Sequence, residues 1–434
     1  MSARPTPTHP ITTNAEHVST TTINDLPVEL LQEIFFFCTA DHNCRTFPFV
    51  VIHRSATRAP VVLTHVCSLW RRVALSLPML WASFTLLPLK RASEELVTEW
   101  LKRSHSSPLA IDASQLFKNL SRKTCSSILA QSHRWRYLGL RPGDRLMSGF
   151  LDTPPSAAPA LKGLAIKSST FAQLQPYIAS LSAKLSTLPS LQQFFLDIGD
   201  NVLAYDAFLS HIPFERLTHI HLSVPLTDGD CVSVLERCRR AVQVTFRFVT
   251  ASHTRPSMRV EGTKVSLSLE SLVVSSETDI CSILSNFTCP VLRQLCIRVC
   301  HTAPSSTTEE DLPLLDNFIR ESNLQQLIIC DVWGSFEFAA LYLLLDSVQD
   351  IPEVEVRVLS PSEAYLPVVV AKEYRCPVAG CSLPHLGWTR AFGQHLGTPL
   401  KDGTMALWES PCRQETLTSD WLANATLFKG FVDD

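Results

Sequence analysis

Leu217-Thr218-His219-Ile220-His221-Leu222 carries apolar residues at its first, fourth and sixth positions. Side chains alternate across a strand, so Ile220 and Leu222 share one face while His219 and His221 share the other. The same pattern returns eight more times. Its fourth and sixth positions fall at Leu138 and Leu140, Leu164 and Ile166, Phe194 and Leu196, Val244 and Phe246, Leu272 and Val274, Leu295 and Ile297, Leu327 and Ile329, and Val354 and Val356.

Successive copies are 23 to 32 residues apart, an average of roughly 27, which matches the period of leucine-rich repeats. Helical spacing fills the intervals: Phe171, Leu174, Ile178, Leu181 and Leu185; Val232 and Leu235; Ile280, Ile283, Leu284 and Phe287; Leu315, Phe318 and Ile319. Thr170, Asp228, Thr278 and Ser335 stand where N-caps would start several of these helices. The unit is therefore strand, loop, helix. No single unit can bury its own apolar face, so stacked units pair their strands in parallel and cover the sheet with helices. The predicted fold is α/β, an irregular solenoid spanning 109–373. The uneven spacing and the lack of a repeat asparagine predict distortion, and the glycine-bearing segment 374–434 is read as a cap or tail.

Working outward to the N-terminus, residues 1–22 form a polar tail rich in Thr, Pro and His. Asn24-Asp25-Leu26-Pro27 carries capping residues and an early proline, and Leu26, Leu30, Leu31, Ile34 and Phe35 follow at helical spacing. Turn signals at Asp41-His42-Asn43, Pro48 and Pro60 mark 36–60 as a loop insertion. A second amphipathic stretch places Val66, Leu69, Trp70, Val73 and Leu77 on one face and stops at Pro78. A third helix over Ser93 to His105, with Leu96, Val97, Trp100 and Leu101 as its stripe, is expected within a linker spanning 87–108.

Ile23-Asn24-Asp25-Leu26-Pro27-Val28-Glu29-Leu30-Leu31-Gln32-Glu33-Ile34-Phe35, then Val66-Cys67-Ser68-Leu69-Trp70-Arg71-Arg72-Val73-Ala74 and Pro78-Met79-Leu80-Trp81, resembles the F-box. Arg103-Ser104 followed by Pro108-Leu109-Ala110-Ile111 resembles the F-box-like expansion of mushroom-forming fungi. The resemblance covers 23–86, with a longer segment between Phe35 and Val66 than a minimal F-box has. It implies a three-helix module that docks on a Skp-family adaptor and, through it, a cullin–RING scaffold. The implied adaptor contacts are Leu26, Pro27, Leu30, Leu31, Ile34, Val66, Trp70, Leu80 and Trp81. A helix seated in a groove needs anchors at i, i+4 and i+8, which Leu26, Leu30 and Ile34 supply. The function implied is substrate recognition for an SCF-type ubiquitin ligase, with the repeats holding a protein substrate. The alternative is an interaction scaffold acting outside a ligase.

Composition narrows the rest. Hydrophobic residues make up 45% and charged residues 18%, a balance that favours burial over disorder. The formal net charge is -3 and no run of Lys and Arg exceeds two, so neither nucleic acid nor an anionic membrane is an expected partner. The N-terminus lacks the apolar run of a signal peptide, and the longest apolar stretches fall far short of the roughly 20 residues a membrane helix needs. A cytoplasmic or nuclear location is expected. Fourteen cysteines occur, none in a Cys-x-x-Cys pair, and they read as small core residues of a reducing compartment.

The familiar nucleotide, hydrolase and zinc-protease motifs are absent, so neither enzyme activity nor a cofactor is expected. Two histidine-bearing segments remain. His219 and His221, on one strand face, are candidates for a ligand contact or for an ordinary solvated face. Cys376, Cys381, His385 and His395 resemble the opening of a two-cysteine, two-histidine zinc finger. No histidine follows His395 at finger spacing, and a cap with ordinary buried thiols is the competing reading.

Overall fold

A computed structural model describes residues 23–39, 60–86, 92–114, 120–199, 206–250, 264–276, 280–299, 312–331, 351–359 and 365–371. The N-terminal module holds α1 (Val28–Thr39), α2 (Leu63–Val66) and α3 (Ser68–Leu75), followed by a 3-10 turn over Pro78–Trp81. Then come β1 (Ser83–Thr85), α4 (Ala92–Arg103), β2 (Leu109–Asp112), α5 (Arg122–Leu129), β3 (Trp135–Leu140), α6 (Arg145–Asp152) and β4 (Gly163–Ser168). The middle of the chain forms α7 (Phe171–Leu174), α8 (Ile178–Thr187), β5 (Gln193–Ile198), α9 (Asp206–Leu209), β6 (His219–Thr227), α10 (Asp228–Arg237) and β7 (Gln243–Thr250). The remainder holds β8 (Val265–Ser266), β9 (Ser271–Ser276), α11 (Cys281–Leu284), β10 (Phe287–Thr288), β11 (Gln294–Val299), α12 (Leu312–Arg320), β12 (Gln326–Asp331), β13 (Glu353–Leu359) and β14 (Tyr365–Ala371).

Among the described residues, twelve strands make one sheet in the order β1-β2-β3-β4-β5-β6-β7-β9-β11-β12-β13-β14, while β8 and β10 pair separately. All pairings are parallel except that of β13 with β14. Strand order follows chain order, the mark of a mixed α/β, solenoid-type sheet flanked by helices.

The repeat positions read from the sequence meet in register. Leu138, Leu164, Phe194, Ile220, Val244, Leu272, Leu295, Leu327 and Val354 form one continuous row. Two residues along, the row from Leu140 through Ile166, Leu196, Leu222, Phe246, Val274 and Ile297 to Ile329 is 0% exposed throughout. A one-residue slip would turn both rows outward, so this burial pins the register. In place of an asparagine ladder, a backbone rail enters the sheet. The carbonyls of Lys162, Gln192, Thr218, Val242, Glu270 and Arg293 each accept two successive N–H groups from the next repeat.

The structure differs from expectation at the edges. The sheet begins at Ser83, inside the segment assigned to the module, and β1 pairs with β2 as Phe84 with Ile111. The helix placed in a linker is α4, the crossover between those strands, so repeats start some fifty residues earlier than the first Leu-x-Leu signal. Residues 36–39 continue α1 rather than opening an insertion, while 40–59 lie outside the described residues. Pro176 splits the predicted 171–185 helix into α7 and α8 with a 3-10 turn between them. Phe287 belongs to β10 rather than to the helix before it. Thr227, not Asp228, caps α10, through a reciprocal box in which Asp230 accepts from the Thr227 backbone N–H. The expected polar tail, the caps at Thr278 and Ser335, and the segment 374–434 lie outside the described residues.

One apolar core runs without a break from Phe35 to Val354, so module and sheet share it. Trp81 sits at their junction. Its Nε1 donates to the Ala74 carbonyl at 2.9 Å, its ring meets Trp100 edge-on at 5.0 Å, and the Arg103 guanidinium lies 4.5 Å above it. The partners come from α3 on one side and from the first crossover helix on the other.

Candidate functional site

Two surfaces stand out, one on the module and one on the sheet. In the module, Pro27 precedes α1 and its carbonyl accepts from the Leu30 and Leu31 N–H groups at 3.1 and 3.2 Å. A residue that lacks an N–H loses nothing at a helix start. From there α1 carries two apolar stripes, whereas a helix packed on a core needs one. Leu31 and Phe35, both 0% exposed, face inward, where the Phe35 ring packs on Trp70 with centroids 4.9 Å apart. Leu30 and Phe37 face solvent at 50% and 65% exposure.

This geometry divides the nine predicted contacts. Leu30 and Val66 are exposed large apolar residues, Pro27 is exposed, and Leu26 and Ile34 are half-buried. Trp70 is also half-buried and packs against the core. Leu31, Leu80 and Trp81 are core residues, at most 2% exposed, and have no surface to offer a partner. The surface also holds Ile23, Val28, Phe37 and Met79, which reading the sequence left out. Phe37 stands at i+7 from Leu30, a spacing that could have revealed the second stripe. Among the described residues, six of the ten exposed large apolar side chains belong to this short module. Solvent-facing apolar residues scatter singly on most proteins, so such a concentration points to a contact surface.

On the sheet, two rows mark the face opposite the helices. Gln193, His219, Gln243, Ser271, Gln294 and Gln326 form an uncharged hydrogen-bonding row. The second row runs through Phe195, His221 and Thr245 to Val273, Cys296 and Ile328, and the last three make a second apolar cluster. His219 and His221 do share this face, as the alternation requires. Their roles differ: His219 Nδ1 bonds Thr218 Oγ1 at 2.9 Å, whereas the His221 ring stacks flat on Phe195 at 4.1 Å and 12°. Burial pushes His221 down to about 3, with Arg247 adding to the fall and Asp197 opposing it. It is therefore a neutral imidazole at neutral pH.

Chemistry elsewhere is muted. Burial pushes the thiol of Cys125 up to about 11 and that of Cys289 up to about 12, and it raises those of Cys231 and Cys238 further. Such thiols are poor nucleophiles. Burial also raises Asp112, against hydrogen bonds from the Ser114 N–H at 2.9 Å and its hydroxyl at 2.6 Å. Among the described residues no group of three or more His, Cys, Asp or Glu could hold a metal ion. The zinc candidates Cys376, Cys381, His385 and His395 lie outside the described residues. No helix among the described residues is long and apolar enough to cross a membrane.

No protein-family profile and no curated protein matches the chain. Among solved structures, a crystal structure of a protein from Bacteroides fragilis is similar over 52% of this chain and 69% of its own, at 14% identity and a TM-score of 0.26. A likeness that distant bears on neither fold nor function.

Proposed function

We propose that this chain is a substrate receptor of an SCF-type cullin–RING ubiquitin ligase. In this reading residues 23–81 are an F-box that docks on a Skp-family adaptor, and the leucine-rich-repeat-like sheet holds the protein to be ubiquitinated. The observation that carries the reading is the solvent-facing apolar set at Leu30, Val66 and Met79, which falls within the segments whose motifs resemble the F-box, with Phe37 two residues beyond the first of them. Each such side chain contributes roughly 1.5–3 kcal/mol when a partner covers it.

The mechanism is positioning. Module and sheet share one core across Trp81, so a substrate on the sheet is held at a set distance and angle from the adaptor. Tethering raises its effective concentration near a charged ubiquitin-conjugating enzyme, and the chemistry belongs to other subunits. Co-expression of the full chain with a Skp-family adaptor, a cullin and a RING subunit tests this. A co-eluting complex of all four supports the receptor. A complex with the adaptor that excludes the cullin favours a scaffold acting outside a ligase, and no complex at all rejects both.

A further inference from the structure

The parallel strands all begin at one edge of the sheet and end at the other, and from β3 to β7 the two edges differ in charge. The strand-start edge comprises the ends of α6, α8 and α10, the turns that lead into β3 to β7 and the first residues of those strands. Among the described residues it holds eight cations and three acids, in a chain whose formal net charge is -3. Acids gather instead at the strand-end edge, where Asp144 caps α6 and Asp228 and Asp230 fill the first turn of α10.

Half of the eight cations serve the fold. Arg134, Lys184, Arg216 and Arg237 each donate to carbonyls just past or within the end of the preceding repeat's helix. Helix ends leave carbonyls unmet and carry partial negative charge, so cations belong there. Two of the three acids act on these cations: Glu215 pairs with Arg237 at 2.9 Å and Asp152 acts on Lys184. The third, Glu236, lies in the last turn of α10.

The other four cations have no such task. Arg136, Arg239 and Arg240 are exposed and Lys162 is half-buried. Among the described residues none of the four bonds a carboxylate, and Arg136 lies 5.7 Å over the Tyr137 ring. The backbone holds them in step. Lys162 donates its N–H to the Arg136 carbonyl, Gln192 to Lys162, Thr218 to Gln192 and Val242 to Thr218, at 2.7 to 2.8 Å. Neighbouring strands are about 4.8 Å apart, so Arg136 at β3 and the Arg239-Arg240 pair before β7 are roughly 19 Å apart. An extended segment of about six residues spans that distance. Past β7 the next strand start carries Glu270, so the cationic stretch is too short to follow a nucleic-acid backbone.

We propose that the strand-start edge of β3 to β7 receives an Asp- and Glu-rich segment of the protein held by the sheet. Its carboxylates meet Arg136 and Lys162 at one end and Arg239 and Arg240 at the other. This rests on the reading of the sheet as a protein receptor. The module joins the sheet at this same edge, since β1 begins two residues after Trp81, so the segment is held on the side that faces the module.

The test uses the full chain and a fluorescein-labelled dodecapeptide of alternating Glu and Ser, read by fluorescence anisotropy. Peptides of alternating Gln and Ser and a single-stranded oligonucleotide serve as comparison probes. Two variants remove the cations in pairs, Arg136→Gln with Lys162→Gln and Arg239→Gln with Arg240→Gln. A third, Arg122→Gln with Lys123→Gln, makes the same charge change among exposed residues at the other edge. The acidic peptide alone should bind wild type, and more weakly as salt rises. Its affinity should fall at least about fivefold in each edge variant and less than about twofold in the third. Arg136→Lys with Arg239→Lys keeps the charges and should bind as wild type, which separates lost charge from lost fold. Four results would overturn the proposal: no binding of the acidic peptide, equal loss in all three paired variants, loss in the variant that keeps the charges, or tighter binding of the oligonucleotide at the same residues. Adaptor binding, measured in parallel, separates the two claims. Peptide binding as expected without adaptor binding removes the ligase and leaves the edge site, and the converse removes the edge site alone. Loss of adaptor binding in the edge variants would also overturn the proposal, by assigning the edge to the adaptor.

Discussion

Trp100 meets Trp81 edge-on, with ring centroids 5.0 Å apart and planes at 78°. Trp100 lies on the helix between the first two strands, and Trp81 closes the N-terminal module. Each is at most 2% exposed, so the pair joins two parts of the chain that the sequence suggests are separate.

Trp81→Ala should therefore destabilise the whole described fold rather than the module alone. The expected cost is about 3–5 kcal/mol for a buried aromatic, read as a lower midpoint in urea denaturation. Far-ultraviolet circular dichroism and tryptophan fluorescence should move together in one transition. A variant in which fluorescence changes first, at wild-type midpoint for the rest, would contradict a shared core.

Arg134 ties the end of α4 to the turn before β3. Its guanidinium donates to the Ser104 carbonyl and hydroxyl, the Ser107 carbonyl and Gln131 Oε1, at 2.8 to 3.1 Å. Burial lowers its pKa, and those four acceptors offset the cost of holding the charge there. Arg134→Met leaves buried acceptors unmet, and a loss of about 3 kcal/mol is expected. Arg134→Lys should recover little, because a single ammonium cannot reach a fork of acceptors. Thermal melts of both variants check this, and equal rescue by Lys would argue against the fork.

How much of this was legible beforehand depended on local pattern. From β3 to β13, two apolar residues flank one residue of the opposite face in each strand, so the rows could be read from the sequence alone. Ser83-Phe84-Thr85 contains a single apolar side chain and is too short to show alternation. Leu109-Ala110-Ile111-Asp112 presents apolar residues to both faces, and only its pairing with β1 and β3 reveals it as a strand. Val369 and its neighbours signal burial without direction, so the antiparallel turn-back of β14 was invisible. In the candidate site, Leu30 and Leu31 are adjacent and chemically alike. Which of them faces inward is decided by the contact of Phe35 with Trp70, two elements that lie far apart in sequence.

His221 supplies a pH dependence with a definite sign. Its folded pKa of about 3 lies below the unfolded value of 6.5, so between those limits the unfolded chain binds the extra proton. The contribution of neutral His221 to stability is complete above about pH 6.5 and is lost as pH falls toward 3. His221→Phe should flatten that part of the profile, moving the acid-unfolding midpoint to lower pH. An unchanged midpoint would mean that the ring is not held neutral by burial.

The most direct measurement is calorimetric titration of a Skp-family adaptor into the full chain, wild type beside Leu30→Glu, with circular dichroism to verify the fold. Leu30 is 50% exposed, so the charge should leave folding intact while costing an adaptor contact about 1.5–3 kcal/mol or more, at least a tenfold loss of affinity. Binding by wild type that falls in this way in a folded variant is the predicted result. A folded wild type that does not bind, or a Leu30→Glu chain that binds equally well, would contradict the account.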